Sequence, residues 1–342
     1  MMDNIYMDLN FNILKHNVTG KSSKIVVLTD PNTTKYCLPV LKKYLKNVDF
    51  LHLEIPVDES TKNIKTIVYI WKLLLENHID RHGLVINLGG GVLSDTGGFA
   101  ASTYKRGISY INIPTTLLAM VDASIGGKTG INFLGIKNQI GSIQQPEGIY
   151  INPLFLNTLP EEEIKSGRAE MFKHGLIASY DHFQKLLNTS PIPEDGLIIE
   201  SAQIKNEIIQ KDPEENGLRR ILNFGHTFGH AIESFLREMG NPVTHGHAVA
   251  IGILLESYLS TLYAGLSVKE FEKIQDFILQ NYEIPEFDSD NLDNSLIHLM
   301  HHDKKNKSGE IRFVLLNKIG SAAYDYVIDK KDIKRVINTF LV

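Results

Sequence analysis

Leu84-Val85-Ile86-Asn87-Leu88 runs without a break into Gly89-Gly90-Gly91-Val92-Leu93-Ser94-Asp95, and this junction decides the fold. A short apolar run bounded by turn signals reads as a buried strand, and the glycines behind it as a tight turn into a helix. Such a junction offers backbone N–H groups and a helix N-terminus to an anion. It is not the Gly-x-Gly-x-x-Gly fingerprint, because Ser94 stands in the third glycine's place. Alone, it fits a tight turn as well as a phosphate cradle. Upstream, Lys24 to Thr29 is a β-branched run ending at Asp30-Pro31-Asn32, a strand and a turn. Thr34 to Leu45 has helical spacing, Asp49 to Ile55 reads as a strand, and Thr61 to Glu76 as an amphipathic helix with Ile64, Ile67, Val68, Trp71 and Leu74 on one stripe. Downstream, Tyr110 to Ile113 is another strand, closed by Pro114. Alternating helices and wholly apolar strands imply a mostly parallel sheet covered on both faces.

From about Pro153 the period changes. Glu161 to Ala178, Leu197 to Gln210, Leu222 to Leu236, Ala248 to Tyr263 and Val268 to Asn281 all repeat as helices. Only Arg312 to Leu316 and Ala323 to Val327 read as strands, before a last helix near Lys331 to Phe340. The expected architecture is an α/β domain over 1–152 followed by a mainly helical domain over 153–342. With 342 residues, 43% apolar and 22% charged, the chain has the composition of a two-domain soluble protein. A net charge of −5 argues against a nucleic-acid binder. The one cysteine, Cys37, excludes an internal disulfide and fits a reducing compartment. Met1 to Thr19 lacks the apolar core of a signal peptide, and Glu256 interrupts the most apolar helix, Ala248 to Leu266. A cytoplasmic protein with no membrane partner is the expectation.

Gly126-Gly127-Lys128-Thr129 invites a P-loop reading, but that motif needs a glycine where Asp122 stands. What remains is a polar run, Asp122, Lys128, Asn132, Lys137 and Asn138, which with Lys105 and Arg106 reads as a pocket for an anion. A second dense stretch is Asn223-Phe224-Gly225-His226-Thr227-Phe228-Gly229-His230-Ala231-Ile232-Glu233, followed by Thr244-His245-Gly246-His247. On a helix His226 and His230 project from one face, one turn apart. Gly225 and Gly229 leave room for another group to approach the backbone. Neutral imidazole is the commonest metal ligand and a ready acid or base. His-Glu-x-x-His is absent, so the zinc-protease motif finds no support. The cluster marks a candidate metal site and leaves the reaction open.

Taken in order, these motifs resemble the 3-dehydroquinate synthases. The resemblance rests on Gly89-Gly90-Gly91-x-x-x-Asp95, Tyr104-Lys105-Arg106-Gly107, Pro114-Thr115-Thr116-Leu117-Leu118-Ala119, Val121-Asp122-Ala123-Ser124-Ile125-Gly126-Gly127-Lys128-Thr129 and Lys137-Asn138-x-Ile140-Gly141. It continues through Ala169-Glu170-Met171-Phe172-Lys173-His174-Gly175, the histidine stretch, and Asp303-Lys304-Lys305. It implies a dehydroquinate synthase-like fold related to iron-type alcohol dehydrogenases, an α/β nucleotide-binding domain joined to a helical metal-binding domain, in a homodimer. It implies NAD and a divalent metal, usually zinc with cobalt an alternative, used to turn 3-deoxy-D-arabino-heptulosonate 7-phosphate into 3-dehydroquinate and phosphate in the shikimate pathway. The metal ligands it implies are Glu170, His226 and His245, and the proton-transfer residues His230 and Glu215. The implied substrate contacts are Asp122, Lys128, Asn138, Lys173, Lys205, Arg219, Asn223, one of Lys304 and Lys305, and Arg106 reaching from a partner subunit. Those for the cofactor are Asp30, Asn32, Glu59, Lys62, Gly89, Gly90, Gly91, Asp95, Thr115, Thr116 and Lys137.

The chain departs from the family pattern at three places. His245-Gly246-His247 replaces His-Gly-Glu, which removes a carboxylate beside a ligand. Ser94 and Asp58 replace glycines, which is tolerable where φ stays negative. Two other activities compete: a cyclase for a sugar phosphate without a carboxylate, which would leave Lys205, Arg219 and Asn223 partly idle, and a polyol dehydrogenase, which would accumulate NADH. A catalytically silent protein of the same fold is disfavoured by retention of Glu170, His226, His230 and His245.

Overall fold

Residues 84–89 form a strand buried along its whole length, as the apolar run predicts. The structure is a computed structural model that describes residues 4–20, 22–134, 136–287, 291–301 and 310–342. Within it the chain divides into two compact units, Met1–Pro160 and Glu161–Val342. The first is built from strands β1 (Ile5–Met7), β2 (Ile25–Thr29), β3 (Leu51–Glu54), β4 (Leu84–Gly89), β5 (Ser109–Pro114), β6 (Lys128–Phe133), β7 (Ile136–Ile143) and β8 (Ile149–Ile151). Its helices are α1 (Asn12–Val18), α2 (Pro31–Tyr36), α3 (Leu38–Tyr44), α4 (Ile64–Glu76) and α5 (Gly91–Thr103). Six strands make one sheet in the order β1-β8-β5-β4-β2-β3, parallel at every pairing. β6 and β7 pair antiparallel as a separate hairpin.

In this unit two expected helices differ from what the sequence predicts. The stretch 34–45 is not one helix, because α2 ends at Tyr36 and α3 begins at Leu38 with Pro39 in its first turn. Proline disfavours helical backbone in the residue before it, which is the reason for the break. On α4 the buried stripe is Ile67, Ile70 and Leu74, with Trp71 half-buried and its Nε1 donating to Ala100 O at 3.1 Å. Ile64 and Val68 face solvent instead. The helix is turned so that Ile70 joins the buried core that holds Val26, Leu28, Val85 and Leu93.

The second unit holds α6 (Glu161–Ala178), α7 (Tyr180–Leu187), α8 (Asp195–Lys211), α9 (His226–Glu238), α10 (His245–Tyr263), α11 (Val268–Asn281), α12 (Leu292–His301) and α13 (Lys330–Phe340), with the hairpin β9 (Arg312–Lys318) and β10 (Ser321–Val327). α6 is buried almost throughout from Ile164 to Ile177, so its charged side chains lie inside the protein. The expected helix over 222–236 is two elements. A 3-10 turn, Leu218–Asn223, is followed by Gly225 at φ 79, and α9 starts at His226. Only glycine takes that left-handed angle freely. The room foreseen at Gly225 and Gly229 is filled by α10: a Cβ on Gly252 would lie 1.9 Å from Gly225 O and 2.8 Å from Gly229 N. Among the described residues, no helix is long and apolar enough to cross a membrane.

Candidate active site

In the first unit the chain leaves β2 toward β3 on one side and β4 toward β5 on the other, so the strand order, though not the strand direction, reverses between β2 and β4. Ligands of open α/β sheets bind at the carboxyl ends of the strands at such a point. Asp30 and Asn32 follow β2 there, and Gly89, Gly90 and Gly91 end β4. None of the three glycines has positive φ, so they are not needed for backbone angle. They are needed for space. A Cβ would lie 2.5 Å from Leu93 Cδ2 at Gly89, 3.0 Å from Thr116 Cγ2 at Gly90 and 2.9 Å from Ala123 Cβ at Gly91. Gly90 caps α5 with no side chain over the helix N-terminus, and Thr115 N donates to Gly89 O at 3.0 Å. Asp30 spends its carboxylate on Asn32 N and Thr33 N, at 2.8 and 2.9 Å, as the cap of α2.

A polar group forms around the β6–β7 hairpin. Buried Lys62 donates to Asp95 Oδ2 at 2.6 Å and to Asn138 Oδ1 at 2.7 Å. Asn132 donates to Glu59 Oε1 at 2.9 Å and accepts from Asn138 N at 2.9 Å, while Lys137 Nζ lies 3.6 Å from Glu59. Glu59 is thereby oriented with 40% of its side chain exposed, free to meet a hydroxyl pair. A nucleotide fits this set: a crowded glycine turn at the switch point, an uncapped helix N-terminus and a held carboxylate. Gly126 and Gly127 have φ 105 and 67, and a strand rather than a helix follows them, in keeping with rejection of the P-loop. Asp122 lies in the turn Ala119–Ala123, Lys128 is exposed at the start of β6, and exposed Arg106 has φ 68. Ser94 and Asp58 both keep negative φ.

In the second unit the three implied ligands meet. Glu170 on α6 is fully buried, and its Oε1 lies 3.5 Å from His226 Nε2 and 3.6 Å from His245 Nε2. His226 Nδ1 lies 3.1 Å from Phe224 O, and since a carbonyl only accepts, Nδ1 carries the proton and Nε2 the lone pair. His230 joins them, with ligand atoms of His226, His230 and His245 all within 4.8 Å of one another. One carboxylate and two imidazoles turned toward a common point suit a catalytic zinc or cobalt ion that keeps an open position. Lys173, one turn along α6 and buried, ion-pairs with Glu170.

Nearby, Asp212 accepts from Asn216 N, Gly217 N and Arg219 N, and so folds the loop that carries Glu215. Glu215 has φ 60, and Asn223 Nδ2 donates to its Oε1 at 3.1 Å. Arg219 and Lys205 are buried cations of the same unit. Lys304 and Lys305 lie outside the described residues.

Two carboxylates that sequence reading left unassigned stand behind the histidines. Glu256 on α10, fully buried, accepts from Gly225 N at 2.7 Å and Thr227 N at 3.1 Å and so caps the first turn of α9. Glu233 on α9 lies 3.1 Å from His245 Nδ1. His247 turns elsewhere, its Nε2 donating to Glu283 O at 2.6 Å.

Burial would lower the pKa of His245, but the flanking Glu170 and Glu233 carboxylates outweigh it and push the value up to about 9. The metal-free protein therefore carries imidazolium at neutral pH. Its contribution to stability is full below the ordinary value of about 6.5 and is lost as pH rises through about 9. A metal must displace that proton, so zinc binding at pH 7.5 should release about one proton. Calorimetry in two buffers of different ionisation enthalpy reads this directly, and proton release should vanish above pH 10.

Family models match both parts of the chain: 3-dehydroquinate synthase N-terminal over residues 52–166 and 3-dehydroquinate synthase C-terminal over residues 167–306. A 3-dehydroquinate synthase of Parabacteroides distasonis is 40% identical over 320 residues, 92% of this chain and 90% of that one. Among solved structures, 2-epi-5-epi-valiolone synthase from Streptomyces hygroscopicus, with NAD+ and Zn2+ bound, superposes with a TM-score of 0.83 at 26% identity, covering 98% of this chain and 95% of that one. A 2-deoxy-scyllo-inosose synthase complexed with carbaglucose-6-phosphate, NAD+ and Co2+ gives 0.85 at 22% identity, with the same coverage.

Proposed function

The chain belongs to the 3-dehydroquinate synthase family, and on that premise we propose that it converts 3-deoxy-D-arabino-heptulosonate 7-phosphate to 3-dehydroquinate and phosphate. The observation that carries the reading is the convergence of Glu170, His226 and His245 with His230 beside them. Glu170, His226 and His245 would hold the metal, and Asp30, Asn32, Glu59, Lys62, Gly89, Gly90, Gly91, Asp95, Thr115, Thr116 and Lys137 would line the NAD site. When bound, the metal supplies a Lewis acid for hydroxyl and carbonyl oxygens, and NAD takes up a hydride and later returns it.

The chain's own residues supply binding and proton movement. Lys173, Lys205 and Arg219 offer fixed positive charge to a substrate bearing both a carboxylate and a phosphate, and Asn223 adds a hydrogen-bond donor. His230, exposed beside the ring of His226, would take the proton of a hydroxyl that is being oxidised to a ketone. The ketone acidifies the neighbouring C–H, and loss of that proton expels phosphate. Glu215, held by Asn223, is the second proton-transfer group. Reduction of the ketone, ring opening and an intramolecular aldol closure complete the sequence with no net redox change.

We assign Asp122, Lys128 and Asn138 to the substrate as well, with Arg106 reaching the phosphate of a partner subunit in a homodimer. The β6–β7 hairpin supports an association surface: Phe133, Leu134, Ile136 and Ile143 are 44, 85, 55 and 67% exposed. The single cysteine fits a cytoplasmic setting.

Mixing protein, NAD, zinc and the heptulosonate phosphate should release phosphate stoichiometrically while absorbance at the NADH band stays flat. Steady NADH accumulation with a simple polyol would instead make it a dehydrogenase. Turnover of a sugar phosphate lacking the carboxylate, without turnover of the heptulosonate, would make it another cyclase.

A further inference from the structure

We propose that Glu233 is a positioning residue of the metal site, fixing the ring of His245 so that its Nε2 lone pair faces the cation. The proposal rests on reading Glu170, His226 and His245 as the ligands. α9 carries His226, His230, Glu233 and Arg237 at spacings of four, seven and eleven residues, which places all four on one face. Both oxygens of the nearly buried Glu233 carboxylate are engaged: Oε2 lies 3.1 Å from His245 Nδ1, and Oε1 accepts from Arg237 Nη2 at 2.7 Å. A carboxylate of this kind only accepts, so the hydrogen bond requires the proton on Nδ1, and the proton a metal displaces from the imidazolium is the one on Nε2. That nitrogen is the one 3.6 Å from Glu170. An outer carboxylate on a ligand histidine orients the ring and raises its basicity.

The departure at 247 leaves this arrangement intact. His247 bonds to a backbone carbonyl, and the carboxylate on His245 comes from Glu233 of the neighbouring helix. The exchange between the two helices is reciprocal. α10 provides His245 and the Glu256 cap over the turn bearing His226, while α9 provides His226 and the Glu233 anchor of His245. Each helix thus carries one ligand and the acid that orients the other helix's ligand.

The test uses full-length Glu233→Ala and Glu233→Gln, with His226→Ala alongside. Zinc affinity is read by competition with a chromophoric chelator, and ligand geometry by the visible absorption of the cobalt-substituted proteins. Glu233→Ala should weaken zinc binding about 10–100-fold and shift the cobalt bands. Glu233→Gln, which can still accept from Nδ1–H but carries no charge, should fall between it and the parent, whereas a packing role alone would leave Glu233→Gln at the parent's affinity. Zinc affinity within twofold of the parent and an unchanged cobalt spectrum in Glu233→Ala would overturn the role, provided His226→Ala loses zinc. If His226→Ala also keeps zinc, it is the ligand assignment that fails.

Discussion

Glu170→Ala is expected to cost the protein both its metal and much of its stability. The Glu170 carboxylate is fully buried, and Lys173, 1% exposed, pairs with it one turn along α6. Removing one partner of a buried ion pair unbalances the charge held inside the protein, at a cost of about 3–5 kcal/mol. That is a large share of the roughly 5–15 kcal/mol by which whole domains are stable. The same change deletes the carboxylate that lies within 4 Å of both His226 Nε2 and His245 Nε2. Stability and metal binding can be separated. Glu170→Gln with Lys173→Met removes both charges at nearly constant volume, so the midpoint of urea unfolding should recover most of the loss seen in Glu170→Ala. Zinc binding should stay absent in both. A double variant that unfolds as early as Glu170→Ala would show that the unbalanced ion pair is not the source of the cost.

The reach of sequence reading can be judged residue by residue. Gly89 to Gly91 were legible as a junction because strand period and glycine punctuation are local signals. His226 and His230 were legible because four residues make one turn wherever the helix sits. Glu233 was not, although it lies on the same face, because its partner His245 is 12 positions away and meets it only through the packing of α9 on α10. Glu256 read merely as an acid that spoils a membrane span. Its task as a helix cap depends on Gly252 letting α10 touch Gly225, a contact that no pattern within one helix contains. The break between α2 and α3 did have a signal, Pro39, which the helical spacing of 34–45 overrode. The β6–β7 hairpin escaped because its strands mix glycine and polar residues and leave large apolar ones in solvent, so neither strand shows a buried-face alternation.

Replacing His245 with alanine should abolish zinc binding and turnover together, and His247 should be unable to stand in. At 100° per residue, position 247 points roughly 200° around α10 from position 245. Its ring is bonded to Glu283 O and packs against Tyr282 at 5.8 Å between centroids. Bringing it to Glu170 would require α10 to rotate at its first turn. Gly246 forbids that: its N–H donates to Ser166 Oγ at 3.0 Å, and even a Cβ there would lie 2.0 Å from Ser166 O. Loss of a direct ligand should exceed the 10–100-fold typical of losing an outer partner. Zinc per chain after gel filtration, together with phosphate release, measures both effects, and His247→Ala should retain metal and activity. Should His245→Ala keep one zinc per chain and lose it only when His247 is also replaced, α10 must be able to turn past Ser166, and the third ligand belongs to whichever histidine the helix then presents.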